Sequence, residues 1–342
     1  MAKVCHGSKS HLQIFGEVLY LTVFFERSNH KQQDAKMNVL VMGGTGWVGH
    51  HIVLELAKRG IPVTILTRGQ KQTFVNEVQG VKLIQANKKD EASMREVFQT
   101  RYTHVIDTVP TNESLELVFK YAKNLRHYLH CSSTGGYAPL PYVPCDENAP
   151  YGGFEPTTGW AQKRIVDALL MEKFMNFGFP GTVLRPCYIT GPGMLPLDNL
   201  GCRRVDFIPD ILAEKPILLP NDGQALLQPI YVKELARAFV LALERPHSIG
   251  QVYNICLDHA VTLNRYVELN ALALGKKAHI VYMDLEEIIR DHADMVKDVN
   301  GLRFLATHMC FDIGKARREL DFNPQITPEE AIEETAVWAA RQ

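Results

Sequence analysis

The sequence predicts an α/β fold built on a doubly wound parallel sheet. Three observations carry this. A continuous apolar run, Val39 to Met42, leads directly into a glycine-spaced turn and then an amphipathic helix. Strand-like and helix-like segments then alternate for about a hundred residues, in the order that gives parallel strands. The early strands read as unbroken apolar runs, as expected of strands buried on both faces.

The first unit is the most explicit. Gly43, Gly44, Gly46 and Gly49 follow the strand, with the spacing GxxGxxG at 43, 46 and 49. Glycine allows the tight turn, lets a pyrophosphate approach the backbone, and at Gly49 lets the helix pack close to the strand. The helix N-terminus offers amide donors and a favourable dipole to phosphate. Val48, Ile52, Val53, Leu56 and Ala57 form the apolar stripe, and Gly60 is the expected stop. A strand over Pro62–Leu66 completes a Rossmann-type unit. The expected guest is a dinucleotide, held by Gly43, Thr45, Gly46, Trp47, Val48 and Gly49. The second strand ends in Thr67-Arg68-Gly69. NAD sites commonly place an acid there. Arg68 instead suits a 2′-phosphate, so NADP is expected, with NAD as the alternative.

The alternation continues with a strand over Val81–Ile84, a helix over 91–99 and a strand over His104–Asp107. A helix over about 112–124 and a strand over Tyr128–Cys131 follow. Loops 43–49, 67–69, 86–90, 107–111 and 131–137 leave the strand C-termini and should line the site. Residues 160–177 show a broad apolar helical face, closed by Gly178 and Pro180. Val183 and Leu184 lead a strand into Arg185-Pro186.

Composition sets the wider limits. The 342 residues are 46% apolar and 22% charged, with a formal net charge of -1. These are ordinary values for a globular chain. They give nucleic acid binding no support, although a total can hide a patch. Seven scattered cysteines without a CxxC pair point to free thiols in a reducing compartment, hence a cytoplasmic setting. The histidines and cysteines show no metal-ligand spacing, and no metal is expected. Residues 1–36 fit the rest poorly. Their apolar stretch, Leu12 to Phe25, contains Glu17 and is too short to span a bilayer. The plain reading is an appended or mis-started segment with a polar linker. The functional reading is an amphipathic element that docks on the domain or on a partner subunit.

The whole pattern resembles the extended, epimerase-type short-chain dehydrogenase/reductase family, which includes NAD-dependent epimerases and dehydratases. The motifs are GGTGWVG at 43–49, SSTGGY at 132–137, DEN at 146–148, RPCYITGPG at 185–193 and QPIYVKELARAFVLAL at 228–243. The resemblance spans about residues 37–340. It implies a cofactor domain over 37–185, rejoined by about 225–257, and a smaller discontinuous substrate region over 186–224 and 258–340. It implies hydride transfer at a carbon bearing oxygen. It assigns Ser133 or Thr134 to the substrate-binding hydroxyl, Lys163 to the nicotinamide ribose, Pro186 to the cofactor and Tyr188 to the pocket wall. It gives Glu234 a structural role between the two regions. A homodimer formed through helices 112–124 and 160–177 is the usual arrangement.

One position departs from the family. The family uses a tyrosine four residues before the lysine, where the lysine lowers its pKa. Counted from Lys163 that position is Gly159; counted from Arg164 it is Trp160. Neither side chain exchanges a proton. Tyr137, Tyr142, Tyr151 and Tyr188 lie in segments expected near the site, and none has a stronger claim than the others. The reading is therefore an NADP-binding, epimerase-like reductase homologue with a non-standard proton relay, acting on a small oxygenated substrate. The substrate is a nucleotide sugar or a natural-product intermediate. The alternatives are non-redox chemistry (isomerisation, elimination or cyclisation) and a nonenzymatic or RNA-associated scaffold.

Overall fold

In the computed structural model, residues 37–69, 78–152 and 159–342 are described. The expectations for residues 1–36 lie outside them. Asn38–Gln342 forms one compact unit, and a separate unit, Met1–Met37, falls outside the described residues except for Met37.

Seven strands form the central sheet: β1 (Val39–Met42), β2 (Val63–Thr67), β3 (Val81–Gln85), β4 (His104–Asp107), β5 (His127–Cys131), β6 (Gly181–Pro186) and, late in the chain, β11 (Val252–Ile255). Their order is β11-β6-β5-β4-β1-β2-β3. Every pairing is parallel. The Rossmann-type fold expected from the sequence is therefore present. The order reverses between β1 and β4, so the loops leaving those two strands diverge. That crevice is where open α/β sheets bind ligands.

The buried strands follow from composition. All four residues of β1 and all five of β2 are buried. Edge strand β3 is only partly covered. Helices Trp47–Lys58 and Val232–Leu243 pack on one face of the sheet. Helices Glu91–Val97, Asn112–Tyr121 and Gly159–Phe177 join a cluster on the other, built around Leu40, Met94, Leu115, Tyr128 and Leu170. The helices over 91–99 and 112–124 expected from the sequence are each slightly shorter. The apolar face expected on 160–177 is only partly used: Val166 and Leu170 are buried, whereas Ile165 and Phe177 are exposed.

After β6, short strands β7 (Tyr188–Thr190), β8 (Ile217–Pro220), β9 (Leu226–Leu227), β10 (Pro229–Tyr231), β12 (Val261–Thr262) and β13 (Ile280–Met283) form three two-stranded sheets. They surround a second apolar cluster with Phe207, Leu219, Tyr266, Val267 and Ile332 at its centre. Glu234 accepts two bonds from Arg237, which also donates to the carbonyl of Asn323. This ties helix Val232–Leu243 to the C-terminal segment. Among the described residues no helix is long and apolar enough to cross a membrane.

Candidate active site

The glycine turn holds a cradle that side chains would fill. A Cβ at Gly49 would stand 2.3 Å from the Gly43 carbonyl oxygen, and one at Gly43 would stand 2.4 Å from Thr108 Oγ1. Gly43 also has φ of 87°, which favours glycine. Helix Trp47–Lys58 begins on Gly46 with no side-chain cap and no acid in its first turn. Its leading amides and dipole are thus presented to an anion. The cleft beside the turn has a volume of about 430 Å³ and is lined by Gly43, Thr45, Gly46, Arg68, Lys88 and Lys89, among others. Among the described residues, three cations and no carboxylate line it. These features fit the diphosphate of a dinucleotide.

Lys88 is held in place from below. Its Nζ donates to Asp107 Oδ1 at 2.6 Å and to the Val109 carbonyl. Asp107 is fully buried at the end of β4, and its other oxygen accepts the Ser114 hydroxyl at 2.8 Å. The carboxylate therefore orders the loop after β4 and aims a lysine along the cleft wall.

A second polar cluster lies under the end of β5. Strand alternation puts His130 and Ser132 on one side of the chain, while helical spacing puts Lys163 and Asp167 on one face of helix Gly159–Phe177. The two periodicities meet. Lys163 Nζ donates to the Ser132 carbonyl at 3.1 Å, and the Ser132 hydroxyl donates to Asp167 Oδ2 at 2.8 Å. Arg185 Nε donates to the same Asp167 oxygen at 3.1 Å. His130 Nε2 lies 2.8 Å from Asp167 Oδ1, at ion-pair distance but out of hydrogen-bond alignment. Burial alone would raise the Asp167 carboxyl. His130, Arg185 and Ser132 outweigh it and hold the carboxyl below the usual aspartate value.

Tyr151 closes this cluster. Its hydroxyl donates to the Ser133 carbonyl at 2.7 Å and lies 3.2 Å from Ser132 Oγ. The Arg185 guanidinium stacks on its ring at 3.4 Å and donates to Tyr137 Oη. Burial raises both phenols. Tyr137 and Tyr151 thus brace the turn after β5 from inside the protein. Tyr142 is exposed and bonds to Asp146.

On the other side of that turn is an apolar cavity of about 130 Å³. Ser133, Trp160, Tyr188, Leu227, Phe304 and Leu305 are among its walls. The Trp160 and Phe304 rings meet with centroids 4.8 Å apart. A Cβ on Gly135 would stand 2.8 Å from the Trp160 ring, so that glycine makes room for the indole.

Two family matches cover much of the chain. Residues 110–256 match the NAD dependent epimerase/dehydratase family, and residues 35–125 match the NmrA-like family. Over residues 110–256 the chain is similar to the epimerase/dehydratase family, in agreement with the motifs. Among curated relatives, the Arabidopsis thaliana chloroplast stem-loop binding protein of 41 kDa b is 26% identical, over 91% of this chain and 83% of its own. A dTDP-4-dehydro-6-deoxy-D-allose reductase from a Streptomyces species is 23% identical, over 89% and 96%. Among solved structures, the Thermotoga maritima UDP-glucose 4-epimerase with UDP-glucose superposes with a TM-score of 0.69 at 22% identity, covering 89% of this chain and 99% of that one. The Bacillus cereus UDP-glucuronic acid 4-epimerase with NAD gives 0.70 at 18%, covering 89% and 99%.

The residues singled out from sequence fall in several places. Gly43, Thr45, Gly46 and Arg68 line the cleft beside the glycine turn. Val48 and Gly49 lie in the helix that leaves the turn. Trp47 turns away from the cleft: its indole donates to the Pro192 carbonyl at 2.8 Å, and Arg203 lies over its ring. Ser133, Thr134 and Tyr188 line the apolar cavity. Ser133 Oγ accepts the Gly135 amide at 3.1 Å, and Thr134 Oγ1 donates to the buried Pro186 carbonyl at 3.4 Å. Tyr188 Oη accepts the Leu197 amide at 2.6 Å and lies 3.2 Å from Tyr266 Oη. Beyond its chain neighbours and its own helix backbone, no described atom lies within 4 Å of a Cβ built on Gly159.

Sequence reasoning missed His130, Asp167 and Phe304. The first two had a signal. Asp167 stands four residues beyond Lys163, and His130 stands two before Ser132. Phe304 had none, because it comes from helix Val299–Leu305, far away in the chain.

Proposed function

We propose that this protein is an NADP-dependent reductase-type enzyme acting on a small, largely apolar carbonyl compound, with a proton route that does not use a tyrosine. The observation that carries the reading is an intact phosphate cradle paired with a hydroxyl-bearing cavity, while Gly159 occupies the place counted for the tyrosine. The cradle amides bind the diphosphate. Arg68 pairs with the 2′-phosphate in preference to a bare ribose. Lys163 and Pro186 would hold the nicotinamide end. Bound NADPH supplies a hydride. Ser133 donates its hydroxyl hydrogen to the substrate oxygen and orients the carbonyl, and water delivers the proton that completes the alcohol. A homodimer using the exposed apolar residues of helix Gly159–Phe177 belongs to the same reading.

The test mixes purified protein, NADPH and a panel of small ketones and follows the absorbance of reduced nicotinamide. Saturated cofactor that never turns over sinks the reading. A second reading rests on the stem-loop binding relative. Its test is anisotropy of a labelled RNA hairpin across a salt series, where absence of binding at low salt removes it.

A further inference from the structure

The cavity beside Ser133 is built for something other than a sugar ring. Its volume is about 130 Å³. Apolar cavities of roughly 150 Å³ take a benzene-sized guest, whereas pockets for larger ligands run from about 300 Å³ upward. The wall chemistry agrees with the size. Leu227, Leu305 and Met309 are buried apolar residues, and Trp160 and Phe304 add two aromatic faces.

A hexose would also need a polar partner for each hydroxyl it buries. The polar atoms of this wall are already committed. Thr134 Oγ1 donates to Pro186, and Tyr188 Oη is engaged by the Leu197 amide and Tyr266. The Cys187 thiol lies 3.7 Å from the Ile255 carbonyl. Ser133 Oγ accepts a bond from Gly135, and no described residue accepts its hydrogen. Among the described residues, the Ser133 hydroxyl hydrogen is thus left for a guest, and it serves one oxygen.

The cavity is also closed by backbone. A Cβ on Gly201 would stand 2.2 Å from the Gly301 carbonyl oxygen, and one on Gly301 would stand 2.7 Å from the Gly201 oxygen. Loop and helix meet there with no side chain between them, so enlarging the cavity on that side requires main-chain movement.

We infer that this cavity takes a single aromatic or alicyclic ring bearing one carbonyl or hydroxyl oxygen, with Ser133 as the donor to that oxygen and Trp160 and Phe304 selecting the ring. This names the substrate class of the reductase reading and rests on it, but binding needs no turnover.

Acetophenone and UDP-glucose serve as probes of the full-length protein, with binding read by saturation-transfer NMR without cofactor. Acetophenone should bind, and UDP-glucose should not displace it. Leu305→Trp, which fills the cavity, should weaken acetophenone at least tenfold while leaving NADP affinity unchanged. If that variant does not fold, Trp160→Ala reads the same wall: acetophenone should weaken and the larger 2-acetonaphthone should gain. Competition by UDP-glucose, no acetophenone binding, or wild-type acetophenone affinity in a folded Leu305→Trp or Trp160→Ala protein overturns the inference. Acetophenone binding without NADPH oxidation leaves the cavity assignment standing and defeats the reductase reading alone.

Discussion

Lys163 and Asp167 close on the same residue from one helix face: the lysine on the Ser132 carbonyl at 3.1 Å and the aspartate on the Ser132 hydroxyl at 2.8 Å. The turn that carries Ser133 into the cavity is thereby fixed on its buried side. Tyr151 adds a third hold through the Ser133 carbonyl. The site hydroxyl is positioned by groups that do not themselves face the cavity.

Removing Asp167 should be costly. Asp167→Ala leaves the buried Arg185 guanidinium without its carboxylate, a loss of about 3–5 kcal/mol. Urea unfolding followed by circular dichroism measures it. The pH dependence has a definite sign. The folded protein holds this carboxyl below its ordinary 3.8, so the unfolded chain binds the proton more readily. The stabilisation is complete above about pH 4 and is lost as pH falls through the lower, folded value. Asp167→Asn should flatten that acid limb.

Much of this arrangement could be read from the chain, and the limit is physical. Local periodicity is written in neighbouring residues, so β1, the glycine turn and the helix that follows it were legible. The hub was half legible, since its two spacings are local but their meeting is tertiary. The face of 160–177 misled because Ile165 and Phe177 look like core in a helical pattern, whereas packing on the sheet covers only one side. Where the Trp47 indole goes was not legible either: proximity in sequence to the phosphate turn does not set where an indole points, and this one donates to the Pro192 carbonyl. Phe304 was invisible, because its contact with Trp160 is made by a helix with no local mark of the site.

Acid should also unfold the sheet through two histidines. Burial lowers His104 to about 4 and His127 to about 3. Their neutral forms belong to the fold, and His127 Nε2 lies 2.7 Å from Thr182 Oγ1. Their contribution is whole above the ordinary value of 6.5 and is lost as pH falls from there toward those folded values. Each contributes a slope of up to about 1.4 kcal/mol per pH unit in that window. Denaturant midpoints between pH 7 and pH 5 should fall in the wild type and fall less in His127→Gln. An unchanged slope in that variant would refute the assignment.

Arg68 should decide between the cofactors. Arg68→Ala should weaken NADP by at least about tenfold, the loss of one charge-assisted phosphate contact, and change NAD little. Isothermal titration with both nucleotides reads the difference. Equal losses for the two would mean that Arg68 does not meet a 2′-phosphate.

Gly49 should tolerate no side chain. Gly49→Ala places a methyl 2.3 Å from the Gly43 carbonyl oxygen and 2.8 Å from the Gly44 Cα, both main-chain atoms that cannot swing aside. Overpacking of this kind costs about 1–3 kcal/mol. It would also push the helix start away from the bound diphosphate, so NADP affinity should fall together with thermal stability. Gly60→Ala is the control. It has open space around its Cβ but a φ of 67°, so it should lose a little stability through strain and keep its cofactor affinity.

Gly159 offers the most direct probe of the chemistry. Beyond its chain neighbours and its own helix backbone, a Cβ there meets no described atom within 4 Å, and Lys163 stands one helical turn further on the same face. Gly159→Tyr should therefore fold, and replacing an exposed helical glycine should stabilise the helix slightly. The new phenol would share a face with an ammonium, which favours its ionised form and lowers its pKa toward the working range. A positioned acid contributes about a hundredfold or more to proton transfer. With NADPH and a small ketone, kcat should rise by about that factor while KM changes little, because the gain lies in the proton step rather than in binding. If the native relay already delivers the proton efficiently from another group, kcat will stay at the wild-type value, and water as the proton source is then excluded.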